Sequence, residues 1–306
     1  MPQDGHRGRP VNRSQFPGHC RGAWFFASPF ACANLAESED FHRLSDVLES
    51  FDRTAFTHAE VTRPVFRSGQ GPGIVVMHEI PGIYPAVAAF AERLVESGFR
   101  VALPELFGQT GRPISGGYAA GQLLRACISR EFHVLASRQS SPVTDWLRAL
   151  RRDLHAECGG PGVGAIGMCL TGNFALALMV EPVVMAPVLS QPSLPFPLGA
   201  RRRRGLHLSD SDLAHLRQRV CQEGRKVLGL RFTNDRLVPA ERFERLRAEL
   251  GKGFEAIEID SSSGNPHGLA SSAHSVVTND LVDEAGHPTR VALDRVISFF
   301  QEELGA

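Results

Sequence analysis

One cysteine occupies a place suited to a nucleophile: Gly167-Met168-Cys169-Leu170-Thr171-Gly172 follows the apolar run Val163–Ile166 and precedes the helical run Asn173–Val180. A nucleophile in a tight strand-to-helix turn has its reactive atom pushed clear of the sheet. The amides that follow converge on one spot where an oxyanion can form, and the positive end of the helix favours a thiolate. The competing reading is an inert thiol packed at a strand end, because free cysteine is among the most buried residue types.

Order and spacing of later residues separate the two readings. Asp235 lies in Asn234-Asp235-Arg236-Leu237-Val238-Pro239, just past the apolar run Val227–Phe232, and a histidine follows in the loop after the last apolar run. That is the nucleophile, acid, histidine order of a strand-built triad, although Asp235 in an Asn-Asp turn is also ordinary turn chemistry. Two histidines compete for the third place, His267 in Asn265-Pro266-His267-Gly268 and His274 in Ser272-Ala273-His274-Ser275. His274 is preferred, because His267 sits in a turn-like Pro-Gly setting. Upstream, Val76-Met77-His78-Glu79-Ile80-Pro81-Gly82 leaves another apolar run and makes the Ile80 amide a second oxyanion donor beside that of Leu170. Glu79, a carboxylate at a strand end, is expected to face the same cleft.

These residues need a scaffold with strand ends on one edge. From Gly73 onward, short apolar runs alternate with segments of helical period, the pattern of a mainly parallel central sheet with helices on both faces. The expected strands are Gly73–His78, Phe99–Leu103, Gly162–Met168, Val183–Leu189, Lys226–Phe232 and Phe254–Ile259, preceded by Ala59–Val65. The expected helices are Pro85–Ser97, Pro142–Glu157, Leu170–Val180, Asp210–Gln222, Ala240–Leu250 and Pro288–Leu304, several opening on Pro or Asp. The segment Gly108–Ser141 is too long for a plain connection and is expected to fold as an insertion that shapes a pocket. Residues 1–50 show no sustained period and read as a loosely attached arm, leaving 51–306 as one catalytic domain.

The 306 residues, 42% apolar and 22% charged with zero formal net charge, suit one large globular domain. The single basic run, Arg201–Arg204, is no footprint for a nucleic acid, so none is expected as a partner. The apolar stretch Gly22–Ala36 is broken by Ser28, Pro29 and Asn34, too short to span a membrane, and although Ala-Cys-Ala around Cys32 imitates a cleavage site, the chain is read as cytoplasmic. Six scattered cysteines without a close pair fit reduced thiols.

Taken together, His-Glu-Ile-Pro-Gly at 78–82, Leu-Pro-Glu-Leu-Phe-Gly at 103–108, Gly-Met-Cys-Leu at 167–170, Asn-Asp-Arg-Leu-Val-Pro at 234–239 and His-Ser at 274–275 resemble the dienelactone hydrolase family over roughly residues 58–303. The resemblance implies an α/β-hydrolase fold and a cysteine hydrolase of esters or lactones, working without metal or cofactor. It further implies a thiol that rests hydrogen-bonded to Glu79 until substrate displaces that carboxylate. Two positions depart from the family. Thr171 stands where a glycine is usual, which puts the shape of the turn in question. Of two arginines that hold a substrate carboxylate, Arg130 is available for the first and Thr278 occupies the second, so an anionic lactone is not the expected substrate. The expected partner is a small ester or lactone, bound by a monomer or small homo-oligomer. Acyl-thioester hydrolysis or acyl transfer by the same residues, and a binding protein that has lost its chemistry, are the alternatives.

Overall fold

The computed structural model describes residues 44–112, 142–193 and 199–306, together with 118, 121, 122 and 197. Each of the six apolar runs from Gly73 onward forms a strand of one eight-stranded sheet: β3 (Gly73–Met77), β4 (Arg100–Pro104), β5 (Val163–Met168), β6 (Val184–Ser190), β7 (Val227–Phe232) and β8 (Phe254–Ile259). The expected strand Ala59–Val65 is instead the turn of a hairpin and the start of its second strand. There β1 (Asp52–His58) and β2 (Val61–Ser68) pair antiparallel around Ala59 and Glu60, whose φ angles are 46° and 66°. Both central residues of such a two-residue turn need positive φ, which Asn-Gly or Asp-Gly usually supplies, so Ala-Glu gave no turn signal.

The strand order is β1-β2-β4-β3-β5-β6-β7-β8, antiparallel at β1-β2-β4 and parallel from β4 onward. Alternate residues of the buried strands feed two cores. Ile74 and Val76 face α1 (Pro85–Glu96) and α6 (Pro288–Leu304) through Phe90, Leu94, Phe299 and Phe300. Val75 and Met77 face α2 (Pro142–Cys158), α3 (Gly172–Leu178), α4 (Asp210–Glu223) and α5 (Ala240–Leu250), in a cluster that includes Trp146, Phe174, Leu216 and Phe243. Fully burying each such side chain stabilises the fold by roughly 1.5–3 kcal/mol. Helical residues 44–49 add the buried Leu44 to the first core, so the last turn of the segment read as an arm packs on the domain.

Two features of this scaffold fix the site. The chain runs from β3 through α1 to β4 on one side, then returns to place β5 on the other side of β3, and such a reversal opens a crevice at the carboxyl ends of the two strands. Register then sets Met77 level with Gly167, which brings the residues just past β3 and β5 together. Among the described residues no helix is long and apolar enough to cross a membrane, and no group of three His, Cys, Asp or Glu side chains is arranged to hold a metal.

Candidate active site

Past Met168 the chain turns directly into a 3-10 turn, Cys169–Thr171, and then α3. Cys169 sits at φ 55°, a left-handed conformation that costs a non-glycine residue on the order of 1–3 kcal/mol and survives where surrounding packing enforces it. The enforcement is visible at the flanking glycines. A Cβ on Gly167 would lie 2.1 Å from the Thr171 carbonyl oxygen, and one on Gly172 would lie 2.8 Å from Pro192 Cα. Thr171 does not spoil the turn; it braces it. Its hydroxyl accepts from the Met168 amide at 2.9 Å and lies 2.8 Å from the carbonyl oxygens of both Met168 and Met77, donating to one at a time. The side chain that replaces a hydrogen thus ties the nucleophile turn to the end of β3.

Asp235 follows β7 in a turn and is buried, with Oδ1 accepting from the Leu237 amide at 2.9 Å and Oδ2 2.6 Å from His274 Nδ1. His274 is therefore the histidine that meets the acid. His267 is exposed on the loop, its amide donating to Asn265 Oδ1. Burial disfavours a charged ring at His274, but the bond to Asp235 and the Cys169 sulfur beside it override that effect and push its pKa up to about 11. The histidine loop is pinned from below by Asp280, whose Oδ2 accepts from the amides of His274 and Ser275 at 2.8 Å each.

Sequence reasoning missed several residues here. Ser193, in the loop after β6, has its hydroxyl 3.3 Å from His274 Nε2, the ring nitrogen opposite Asp235; the same hydroxyl donates to the Gln191 carbonyl at 3.1 Å, and the Ser193 amide donates to the Cys169 carbonyl at 2.9 Å. Gln191 is buried at φ 34°, a second strained position next to the cleft. Asn173 donates to the carbonyls of Leu170 and Ser193 at 2.8 and 2.9 Å, and its own oxygen accepts from the buried Arg242, which fixes the direction of the amide. Burial alone lowers the Arg242 pKa to about 9. None of these residues lies in a motif, and only their position after strand ends hinted at a role.

At the end of β3, His78 is fully buried and neutral. Its Nδ1 donates to the Glu79 carbonyl and its Nε2 accepts from the Leu106 amide, both at 3.0 Å, and burial holds its pKa down to about 4. That bracing fixes the backbone carrying the Ile80 amide. Neither the Ile80 nor the Leu170 amide has an acceptor among the described residues. Glu79 corrects an expectation. Its Oε1 accepts from the hydroxyls of Tyr84 and Thr278, and its Oε2 accepts from Ser275 Oγ at 2.7 Å and Gln191 Nε2 at 3.1 Å, so the thiol is not among its partners. Both oxygens are occupied by donors on the surrounding loops. Arg130 lies outside the described residues.

The family model of the dienelactone hydrolases matches residues 58–304, four-fifths of the chain. The chain belongs to the dienelactone hydrolase family. Solved structures agree on the fold. A dienelactone hydrolase described as putative, from Klebsiella pneumoniae subsp. pneumoniae, superposes with a TM-score of 0.56 at 17% identity over 82% of this chain and 98% of its own. A dienelactone hydrolase-like promiscuous phosphotriesterase from metagenomic libraries gives 0.55 at 19% identity over 83% and 98%. A Pyrobaculum calidifontis esterase gives 0.50 at 12% identity over 90% and 94%. No curated protein matches the chain. As a dienelactone hydrolase family member it is an α/β-hydrolase, of the class that acts on carboxylic ester bonds.

Proposed function

We propose that the chain is a cysteine hydrolase of carboxylic esters or lactones that works through a covalent acyl-enzyme. The observation that carries this reading is the convergence of Cys169, at positive φ in its turn, with His274 and of His274 with Asp235 at 2.6 Å. The sulfur attacks the carbonyl carbon as the thiol proton passes to His274 Nε2, an S–C bond forms, and negative charge moves to the carbonyl oxygen. The amides of Ile80 and Leu170 receive that oxyanion, each donor of this type being worth about 3 kcal/mol of barrier. Collapse breaks the C–O bond as His274 Nε2 gives its proton to the leaving oxygen. His274 then takes a proton from water, the hydroxide attacks the thioester, the C–S bond breaks, and the sulfur leaves as thiolate. The chemistry asks for no cofactor.

The substrate is a small ester or lactone without a carboxylate. The position from which a second arginine would hold a carboxylate is Thr278, whose hydroxyl is spent on Glu79. A thiol nucleophile also calls for a reducing compartment such as the cytoplasm, in keeping with Cys158, Cys169 and Cys221, which are all free.

The test is steady-state hydrolysis of p-nitrophenyl acetate and a panel of neutral and anionic lactones by wild type, Cys169→Ala and His274→Ala. Loss of activity in both variants, with neutral substrates preferred by the wild type, is the expected result. Activity that survives Cys169→Ala would overturn the mechanism.

A further inference from the structure

The chain leaving β6 brings a hydroxyl to the nitrogen of His274 that moves the proton, and neither attack nor collapse makes use of it. Ser193 Oγ lies 3.3 Å from His274 Nε2, on a residue that is only 4% exposed. Its place is fixed by its own backbone. The Ser193 amide donates to the Cys169 carbonyl at 2.9 Å, and the Ser193 carbonyl accepts from Asn173 Nδ2 at 2.9 Å. Asn173 also donates to the Leu170 carbonyl and is held from behind by Arg242. Pro192, just before Ser193, packs so closely on the nucleophile turn that a Cβ on Gly172 would lie 2.8 Å from its Cα. One residue thus ties Nε2 to the nucleophile turn, its main chain bonded on both sides and only its hydroxyl able to rotate.

A hydroxyl has one proton to give and two lone pairs with which to receive. Two neighbours compete for that proton: the Gln191 carbonyl at 3.1 Å, which only accepts, and His274 Nε2 at 3.3 Å. With Nδ1–H directed to Asp235, the neutral ring presents a bare Nε2, so both neighbours are acceptors and one goes without. Once Nε2 carries a proton the conflict ends. The hydroxyl donates to Gln191 and accepts from Nε2–H, a bond strengthened by the charge on the ring. Burial makes any partner left short costly. The arrangement is satisfied in full only when the ring is protonated, the state that forms as the nucleophile or the deacylating water gives up its proton.

Resting on the cysteine-hydrolase reading above, we propose that Ser193 is a further catalytic residue, whose hydroxyl accepts from His274 Nε2–H and stabilises the imidazolium formed in attack and again in deacylation. The proton reaches Nε2 from the thiol or the water, and the hydroxyl turns its hydrogen to the Gln191 carbonyl. Nε2 then passes its proton to the leaving oxygen or sulfur, and the neutral ring returns. Besides Ser193, the ring faces the Asp235 carboxylate and the Cys169 sulfur, while Asp280 of its own loop holds its backbone amide.

The experiment is an NMR titration of the His274 ring in Cys169→Ala, where the sulfur is absent, with and without Ser193→Ala. The ring signals are assigned by their loss in His274→Ala. Ser193→Ala is expected to lower the ring pKa by about 1, the tenfold expected of a single hydrogen bond to a charged group. With Cys169 intact, Ser193→Ala is expected to lower kcat for p-nitrophenyl acetate by about tenfold and to leave KM within about twofold. Ser193→Thr keeps the hydroxyl and should retain most of the ring pKa and of kcat, which a merely loosened loop would not restore. Ser193→Gly, also without the hydroxyl, serves where Ser193→Ala does not fold. A ring pKa unchanged to within about 0.3, or a kcat within about twofold of wild type in a folded variant, overturns the proposal. Ser193→Thr losing as much as Ser193→Ala overturns it too. The underlying reading fails separately: activity that survives Cys169→Ala sinks it, whereas Ser193→Ala without effect beside inactive Cys169→Ala and His274→Ala removes only the role of Ser193.

Discussion

The imidazole of His274 is gripped at both nitrogens, Nδ1 by Asp235 at 2.6 Å and Nε2 by the Ser193 hydroxyl at 3.3 Å with the Cys169 sulfur beside the ring. The carboxylate decides which tautomer the neutral ring adopts, because an acceptor at Nδ1 requires the proton there and leaves Nε2 free to shuttle. Asp235→Asn keeps the shape but presents an amide that can donate to Nδ1 and so select the wrong tautomer. Its kcat for ester hydrolysis is expected to fall by about three orders of magnitude, with stability changed far less. A loss under about tenfold would mean that His274 does not move the proton. That Cys169, Asp235 and His274, rather than His267, come together was legible in the sequence because each follows an apolar run in the order the fold imposes. Ser193 and Gln191 were not, since nothing local marks a serine or glutamine whose importance arises only when the ends of β6 and the histidine loop meet. Asp280 was hidden for a different reason: it acts on backbone amides rather than on the ring.

At the scale of elements, the active turn is a joint between three pieces, β5, α3 and the end of β3, and Thr171 is its pin. Its hydroxyl is the acceptor for the buried Met168 amide. Thr171→Val keeps the volume and removes the acceptor, leaving a buried N–H without a partner, so unfolding free energy is expected to drop by about 1–3 kcal/mol. Thr171→Ser keeps the hydroxyl and should lose less. Urea unfolding of the two variants compares them directly, and equal midpoints would show that the hydroxyl does not brace the joint. The sheet's parallel half and its helices were legible, with boundaries within a residue or two, because buried strands are continuous apolar runs and several of the helices open on Pro or Asp. The exception at the nucleophile is instructive: the expected helix Leu170–Val180 is a 3-10 turn followed by the shorter α3. The β1-β2 hairpin was half missed, since β1, Asp52–His58, lies at the edge of the sheet with mostly exposed side chains and carries no apolar period.

For the molecule as a whole, two histidines set opposite limits on stability. His78 is held at a pKa of about 4 against an ordinary 6.5, so below 6.5 the unfolded chain takes up a proton that the folded chain refuses. Its contribution is complete above 6.5 and is lost as pH falls from 6.5 towards 4, amounting to about 3 kcal/mol at most. His274 is shifted the other way, to about 11, by its acid and the neighbouring sulfur against the effect of burial. The folded chain keeps a proton there that the unfolded chain releases, so this contribution is complete below 6.5 and is lost as pH rises from 6.5 towards 11. Stability measured by denaturant unfolding across pH should therefore peak near the ordinary histidine value and decline on both sides. The two limbs are separable. His274→Ala should flatten the alkaline limb and leave the acid limb, whereas His78→Asn should flatten the acid limb while lowering stability overall, because the bracket between Glu79 and Leu106 is weakened. An alkaline limb unchanged in His274→Ala would mean that the imidazolium is not part of the folded ground state.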